Sequence, residues 1–466
     1  MCRPVNTTKS PRSCGRSTTG STVLCRFLCL WMIGWAAGCA THADRLRDVR
    51  SEFYSGNVDE AARLLDKKLA RHSRDTDVLN LDRAVVKLAS GRPRQAEQVL
   101  RAVRDRFDYL EQTSLPEHVL AGLTDDQRLA YAGEDYEKVL IRAFLALANL
   151  CDEGGDAAAY ALQVAAKQQE IIEAGADETG NNPKLSYKRV ALGAYIHGLL
   201  REETHSNYDD AERAYQQVAE WEPSFQGAAA DLERVRHGRH SASGNGVLYV
   251  FTLVGRGPYK EQVNEIPTTA ALFIADRIIS QTASHTLPPT IAPVKVPRVV
   301  LTRNSVSAVE VRVDGREQGT TETITDVGQL AVQQFQAIYP HVMARAIARR
   351  AIKKGVVYAA KETVRGADSP LVSLALDAGG VAWEATEAAD TRCWGLLPDK
   401  IQVLRLELPA GEHRIGLQAV LGTVHLGTES RRTVHIAAGR NSYLLASFPD
   451  TKLVGTILAS RSTDMK

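Results

Sequence analysis

The side chains with the widest chemical reach in this sequence are its cysteines, its histidines and one run of arginines and lysines. Thiols can pair, bind metal or be acylated, and the seven here fall at positions 2, 14, 25, 29, 39, 151 and 393. Cys39 stands directly after Ala36-Ala37-Gly38, and beyond it only Cys151 and Cys393 remain, without metal-type spacing. Imidazoles could bind metal or shuttle protons, but His285, His341, His413, His425 and His435 show no ligand spacing. Surface or strand-face positions account for them, although His425 and His435 could meet across a hairpin. No Gly-x-Ser-x-Gly elbow, phosphate-binding P-loop or His-Glu-x-x-His is present. Val254-Gly255-Arg256-Gly257-Pro258 places glycines after a strand, but Pro258 prevents a helix from opening there, so a β-turn or bulge is expected. No catalytic residue, metal or cofactor is therefore expected.

Two sets of residues suit binding. Arg345, Arg349, Arg350, Lys353, Lys354 and Lys361 interleave with Ala346, Ile347, Ala351, Ile352 and Val356. On a helix this pattern makes a basic face beside an apolar one, fit for anionic lipid or an acidic polymer, or simply for solvent. Near the C-terminal strands, Asp390, Arg392, Trp394 and Pro398 form the second set. Asp390 and Arg392 suit a salt bridge or cap, with Trp394 and Pro398 pinning the loop to a sheet. Arg392 and Trp394 are equally the residue types of a partner contact.

The elements that would carry these residues divide into a leader and two regions. Phe27 to Ala37 is an apolar run of eleven residues, preceded by Arg3, Lys9, Arg12, Arg16 and Arg26 with no acid. A basic segment, a short apolar run and small residues are the three parts of a secretory signal, and the run is too short to span a bilayer. Removing the leader leaves 52 basic and 55 acidic residues, a net of −3. Near-neutrality argues against nucleic acid as a partner. With 44% hydrophobic and 24% charged residues the chain has globular composition, and its 466 residues suffice for two or three domains.

Residues 42 to 237 read as helices. Gly56-Asn57-Val58-Asp59-Glu60-Ala61 opens one, and thirty-five residues later Gly91-Arg92-Pro93-Arg94-Gln95-Ala96 opens another in the same pattern. A third copy starts at Asn207 and runs through Ala211, Tyr215, Val218 and Trp221 to Pro223. A small residue at Ala61, Ala96 and Ala211 lets neighbouring helices approach closely. Helices are also expected from Glu134 to Cys151, from an Asp156 cap to Ile172, and from Asn181-Asn182-Pro183 to Leu200. Ser241 to Gly246 reads as a linker. Strands follow at 247–254, 298–303 and 308–313, with an Asp314-Gly315 turn, and then at 401–408, 413–420, 433–436 and 442–448. Residues 287–297 read as extended, and about 326–388 as a helical insertion. The expected fold is α+β and multidomain: a leader at 1–38, a helical solenoid or bundle at 39–240, and an antiparallel β-rich domain at 246–466.

Ala36-Ala37-Gly38-Cys39 resembles the cleavage site of a bacterial lipoprotein, although Ala36 stands where that site usually has Leu. The resemblance implies cleavage between Gly38 and Cys39 and a lipid on Cys39. Ala40, rather than Asp, after the cysteine resembles outer-membrane rather than inner-membrane sorting. The helical copies resemble the second helix of tetratricopeptide repeats. Tyr131 to Leu140, Ala146 to Leu150 and Ala389 to Pro398 resemble a family of uncharacterised bacterial lipoproteins with tetratricopeptide-like helices and a β-rich C-terminal region. Some of those are similar in context to outer-membrane activators of penicillin-binding proteins. The resemblance implies a periplasm-facing, lipid-anchored scaffold or adaptor that binds other envelope proteins through its repeats, without enzymatic activity. Two alternatives stand beside it: an enzyme of unfamiliar class acting on an envelope polymer, favoured by acids or histidines converging in a cleft between the regions, and a binder of lipid or peptidoglycan surfaces. A small-molecule ligand is left open.

Overall fold

Helices at the start of the chain form because apolar and small residues recur at three- and four-residue intervals. In the computed structural model, which describes residues 41–71, 73–113, 130–152, 155–176, 180–282, 292–363 and 388–460, they run in order along the chain. They are α1 (His42–Arg45), α2 (Arg47–Tyr54), α3 (Val58–Leu69), α4 (Thr76–Ala89), α5 (Pro93–Thr113), α6 (Asp135–Leu150), α7 (Ala157–Glu173), α8 (Leu192–Glu202), α9 (Tyr208–Trp221) and α10 (Gly227–Arg236). From α2 onward each helix packs on its neighbours in sequence, as in a stack of hairpins. Ala61, Ala96 and Ala211 are fully buried, as the close approach requires. Asn182-Pro183 starts only a short 3₁₀ turn, Pro183–Ser186, with the next α-helix beginning at Leu192.

α6 is the hub of this stack. Its residues are buried from Tyr136 to Leu150, charged ones included. Each buried cation on it has an acid: Arg142 meets Asp108 at 2.7 Å and Lys138 meets Glu111 at 2.7 Å. A buried charge survives only when paired in this way.

The C-terminal half begins at β1 (Asn245–Val254) and β2 (Tyr259–Glu265), followed by α11 (Thr269–Thr282), β3 (Val294–Val300), β4 (Ala308–Val313), β5 (Arg316–Thr320), β6 (Glu322–Asp326) and α12 (Val327–Thr363). β7 (Lys400–Pro409), β8 (Gly411–Leu421), β9 (Val424–Ile436), β10 (Asn441–Phe448) and β11 (Val454–Ala459) complete it. One sheet has the order β11-β10-β1-β7-β6, a second β5-β4-β8-β9, and β2 and β3 form a two-stranded sheet. The first sheet is mixed, because β1 and β10 run parallel. β4 and β5 are joined through Asp314 (φ 51°) and Gly315 (φ 82°), a turn with two left-handed residues that matches strand twist.

The period of two along β1 sets the layering. Leu248, Val250 and Val254 face the second sheet, where they meet Val309, Val311, Ile415 and Leu417 in a sandwich core. Val247, Tyr249, Phe251 and Leu253 face the other way and share a core with the helices. A strand covered on both faces reads as a continuous apolar run, which 247–254 is. Residues from Thr41 onward are accordingly one compact unit. Ser241 to Gly246, expected as a linker, is a fixed corner: Ser241 Oγ donates to the Asn245 carbonyl at 3.1 Å, and Glu407 accepts from Ala242 N–H at 2.8 Å.

α12 carries Pro340 in its interior and packs against α11 and β3 through Met343, Ala344 and Ile347. Among the described residues no helix is long and apolar enough to cross a membrane.

Candidate functional site

The two motifs quoted above from residues 131–140 and 389–398 meet in space. Gly133 has φ 78°, and a Cβ there would sit 2.4 Å from the Phe107 ring, so only glycine lets the chain enter α6 at this point. Tyr131 OH then donates to Glu137 Oε2 at 2.5 Å and Glu134 N–H donates to the same oxygen at 3.2 Å. Across from them, Trp394 N–H donates to Glu137 Oε1 at 2.7 Å. Two residues on, Leu396 N–H donates to Asp82 Oδ1 at 2.8 Å. The loop before β7 is thus hung from two carboxylates of the helical stack.

Its side chains are equally committed. Asp390 and Arg392 form a salt bridge at 2.6 Å, and the Arg392 guanidinium lies over the Tyr131 ring at 5.3 Å. Trp394 is fully buried with its ring 5.1 Å from that of Phe144. Both residues are buried, and Trp394 packs on Phe144 of α6 within the core that the helices share with the first sheet. The Val254–Pro258 stretch is a bend at Gly255 (φ 75°) followed by irregular chain, and Gly257 N–H donates to the Leu397 carbonyl at 2.9 Å.

Burial sets the protonation of this junction. It pushes the Asp82 carboxyl up to about 7, and burial with the nearby Glu134 charge pushes Glu137 up to about 7. The Cys393 thiol is pushed up to about 12 by burial and by Glu137, so it is no nucleophile at neutral pH. His42, whose backbone N–H donates to Thr391 Oγ1 at 3.0 Å, is pushed down to about 4 by burial.

Beside this sealed junction lies a cleft of two adjoining cavities of about 430 and 280 Å³. Its walls are the start of α6, the 3₁₀ turn, β2–β3 and α12. The acids at its rim are held by lysines. Glu134 pairs with the buried Lys260. Asp135 pairs with Lys184 at 2.8 Å and accepts from Tyr187 OH at 3.0 Å. Acids therefore do converge here, but bound to cations rather than poised to take a proton. Lys184, Lys260, Lys295, Arg345, Arg349 and Arg392 line the two cavities against Glu134, Asp135 and Asp390. The arrangement can hold negative charge.

The basic stretch on α12 is split by the structure. Arg345 is exposed and lines both cavities, Arg349 is buried and lines one, and Arg350 donates to the Pro293 carbonyl. Burial of Arg349 prevents one continuous solvated face. Lys353, Lys354 and Lys361 lie on the same helix with side chains outside the described residues, and Gly38 and Cys39 lie outside the described residues altogether. His425 and His435 do not meet: on β9 they stand opposite Val420 and Glu412, and His425 Nε2 lies 2.6 Å from Glu310. Cys151 and Cys393 are both free and buried. Among the described residues no group of acids, histidines and cysteines is placed to hold a metal.

Asp82, Glu134, Glu137 and Lys260 were missed in the sequence. Glu137 left a trace, a charged residue within an otherwise apolar helix; Lys260, in a polar strand, left none. No protein-family model matches this chain, and neither does any curated protein or solved structure with which it was compared.

Proposed function

We propose that this chain is a lipid-anchored cell-envelope protein that works by binding, as a scaffold or adaptor, and not by catalysis. The observation that carries the reading is the core shared by the helical stack and the first sheet, with Tyr195, Tyr215, Tyr249 and Phe251 packed together. Such a core makes the outer faces of the hairpins a surface of fixed shape, which suits recognition. In this reading the hairpins are tetratricopeptide-like, the leader is cut before Cys39, and lipid on that thiol confines the body to the membrane surface. Confinement raises the effective concentration of partners, so weak contacts suffice. The family resemblance extends the proposal to envelope or peptidoglycan assembly on the periplasmic side of the outer membrane.

The state of the junction acids supports binding over turnover. Glu134 and Asp135 are each held by a lysine, and Asp82 and Glu137 are each used by a backbone N–H. A general acid or base needs a free path to its proton. Photo-crosslinking from the exposed faces of residues 43–237 in the native envelope tests the proposal, alongside mass spectrometry of the amino terminus. Discrete protein partners and an acylated Cys39 are expected. An intact leader, or turnover of a small molecule without specific partners, would overturn it.

A further inference from the structure

The cleft has features that the scaffold reading does not use. Gln334, Phe335, Ile338, His341 and Arg345 all line its larger cavity. Four of them, at 334, 338, 341 and 345, recur at the spacing of one helical face. The face has an amide at one end, Ile338 and the His341 imidazole in the middle, and a guanidinium at the other end.

Both ends are unspent. Gln334 is 7% exposed and its Oε1 accepts no hydrogen bond among the described residues, although a buried acceptor normally finds a donor. Arg345 is exposed and has no ion pair or hydrogen bond among the described residues, while Lys260 and Lys184 opposite are paired with acids. Among the described residues six lysines and arginines and three carboxylates line the two cavities. Their volumes of about 430 and 280 Å³ are those of small-molecule sites rather than of a protein interface.

The geometry points to a binding site for an elongated small organic anion. Its carboxylate or phosphate pairs with Arg345, its apolar body lies along Phe335 and Ile338, and a hydroxyl or N–H at its far end donates to Gln334. A guanidinium is the side chain best shaped for two parallel bonds to either oxyanion. Arg345, a cation with no acid beside it among the described residues, disfavours an amine at that end. This site is independent of the scaffold surface: partner capture by the hairpins and anion binding in the cleft are read by separate measurements.

The test is titration calorimetry of the full-length protein in detergent, with empty-micelle titrations subtracted. The probes are 4-phenylbutyrate and phenyl phosphate, against 4-phenylbutylamine and 4-phenylbutyramide. One or both anions should bind saturably, the amine should not, and the amide should bind more weakly; which anion is tighter tells carboxylate from phosphate. Arg345→Gln should weaken the anion by about tenfold or more, the loss of one charged hydrogen-bonded pair, while Arg345→Lys keeps part of the affinity. Arg47→Gln, at an exposed arginine away from the cleft, should change nothing. Equal melting temperatures for Arg345→Gln and the parent establish that the variant is folded. No saturable binding of either anion, equal binding of acid and amine, or unchanged affinity in Arg345→Gln would each overturn the proposal.

Discussion

Glu137 on α6 accepts the backbone N–H of Trp394 at 2.7 Å, across 257 residues of sequence, from a carboxylate with no exposure to solvent. With Asp82 holding Leu396 in the same way, it makes the loop before β7 the bolt between helices and sheet.

Asp82 is held up at about 7 by burial, whereas an aspartate in an unfolded chain titrates near 4. The folded state therefore keeps a proton that the unfolded state releases. This contribution to stability is fully present below about 4 and is lost as pH rises through about 7. Asp82→Asn imitates the protonated acid while its carbonyl oxygen still accepts from Leu396. The melting temperature of the variant relative to the parent should thus rise between about pH 5 and pH 8. A difference that stays constant over that range would show that Asp82 does not titrate there.

Trp394 fills the space between the loop and Phe144. Replacing a fully buried tryptophan by alanine removes its apolar burial and leaves a cavity, a loss of about 3–5 kcal/mol. Urea unfolding of Trp394→Ala should show this as a lower midpoint with little change in slope. A loss below about 1 kcal/mol would mean that the ring is not part of the core.

Gly455 at β11 has φ 75°, and a Cβ there would lie 2.0 Å from the Ala89 carbonyl oxygen at the end of α4. Gly244 has nearly the same conformation, φ 83°, with nothing near its would-be Cβ. Both alanine variants suffer backbone strain of about 1 kcal/mol, but only Gly455→Ala must also push α4 away from the sheet. Its stability should fall clearly below that of Gly244→Ala in parallel denaturation curves. Equal losses would show that α4 and β11 are not held in contact.

Because β1 faces helices on one side and strands on the other, the two halves should not melt separately. Helical circular dichroism and tryptophan fluorescence should follow one coincident thermal transition. Two resolved transitions would mean that the shared core contributes little.

Much of this frame was legible in advance. Strands β1, β4, β7, β8 and β10 fell within two residues of where alternation placed them, since each has an apolar face to bury. The helices carrying Ala61, Ala96 and Ala211 were marked by small residues at close contacts. β2, β5 and β6 were not, because Tyr259–Glu265, Arg316–Thr320 and Glu322–Asp326 are polar pieces defined by their partners. α11 was missed too, its apolar stretch lying between turn-like Pro267 and the Pro-rich interval. β9 proved far longer than 433–436, since Val424–Ile436 is mostly exposed and carries little apolar pattern. Of the cleft, His341, Arg349, Asp390, Arg392 and, lining both cavities, Arg345 were singled out, though not as neighbours. Its companions Glu134, Lys184 and Lys260 come from distant elements, and residue spacing along the chain contains no record of such a meeting.

The first strand of the larger sheet has as neighbours two strands made much later: Val247 faces Glu407 on one side and Asn441 on the other. During vectorial synthesis the middle of that sheet must wait, with Tyr249 and Phe251 uncovered by strands, until the closing residues emerge. A chain cut short before Asn441 keeps a bare central edge, open to pairing with another copy of itself.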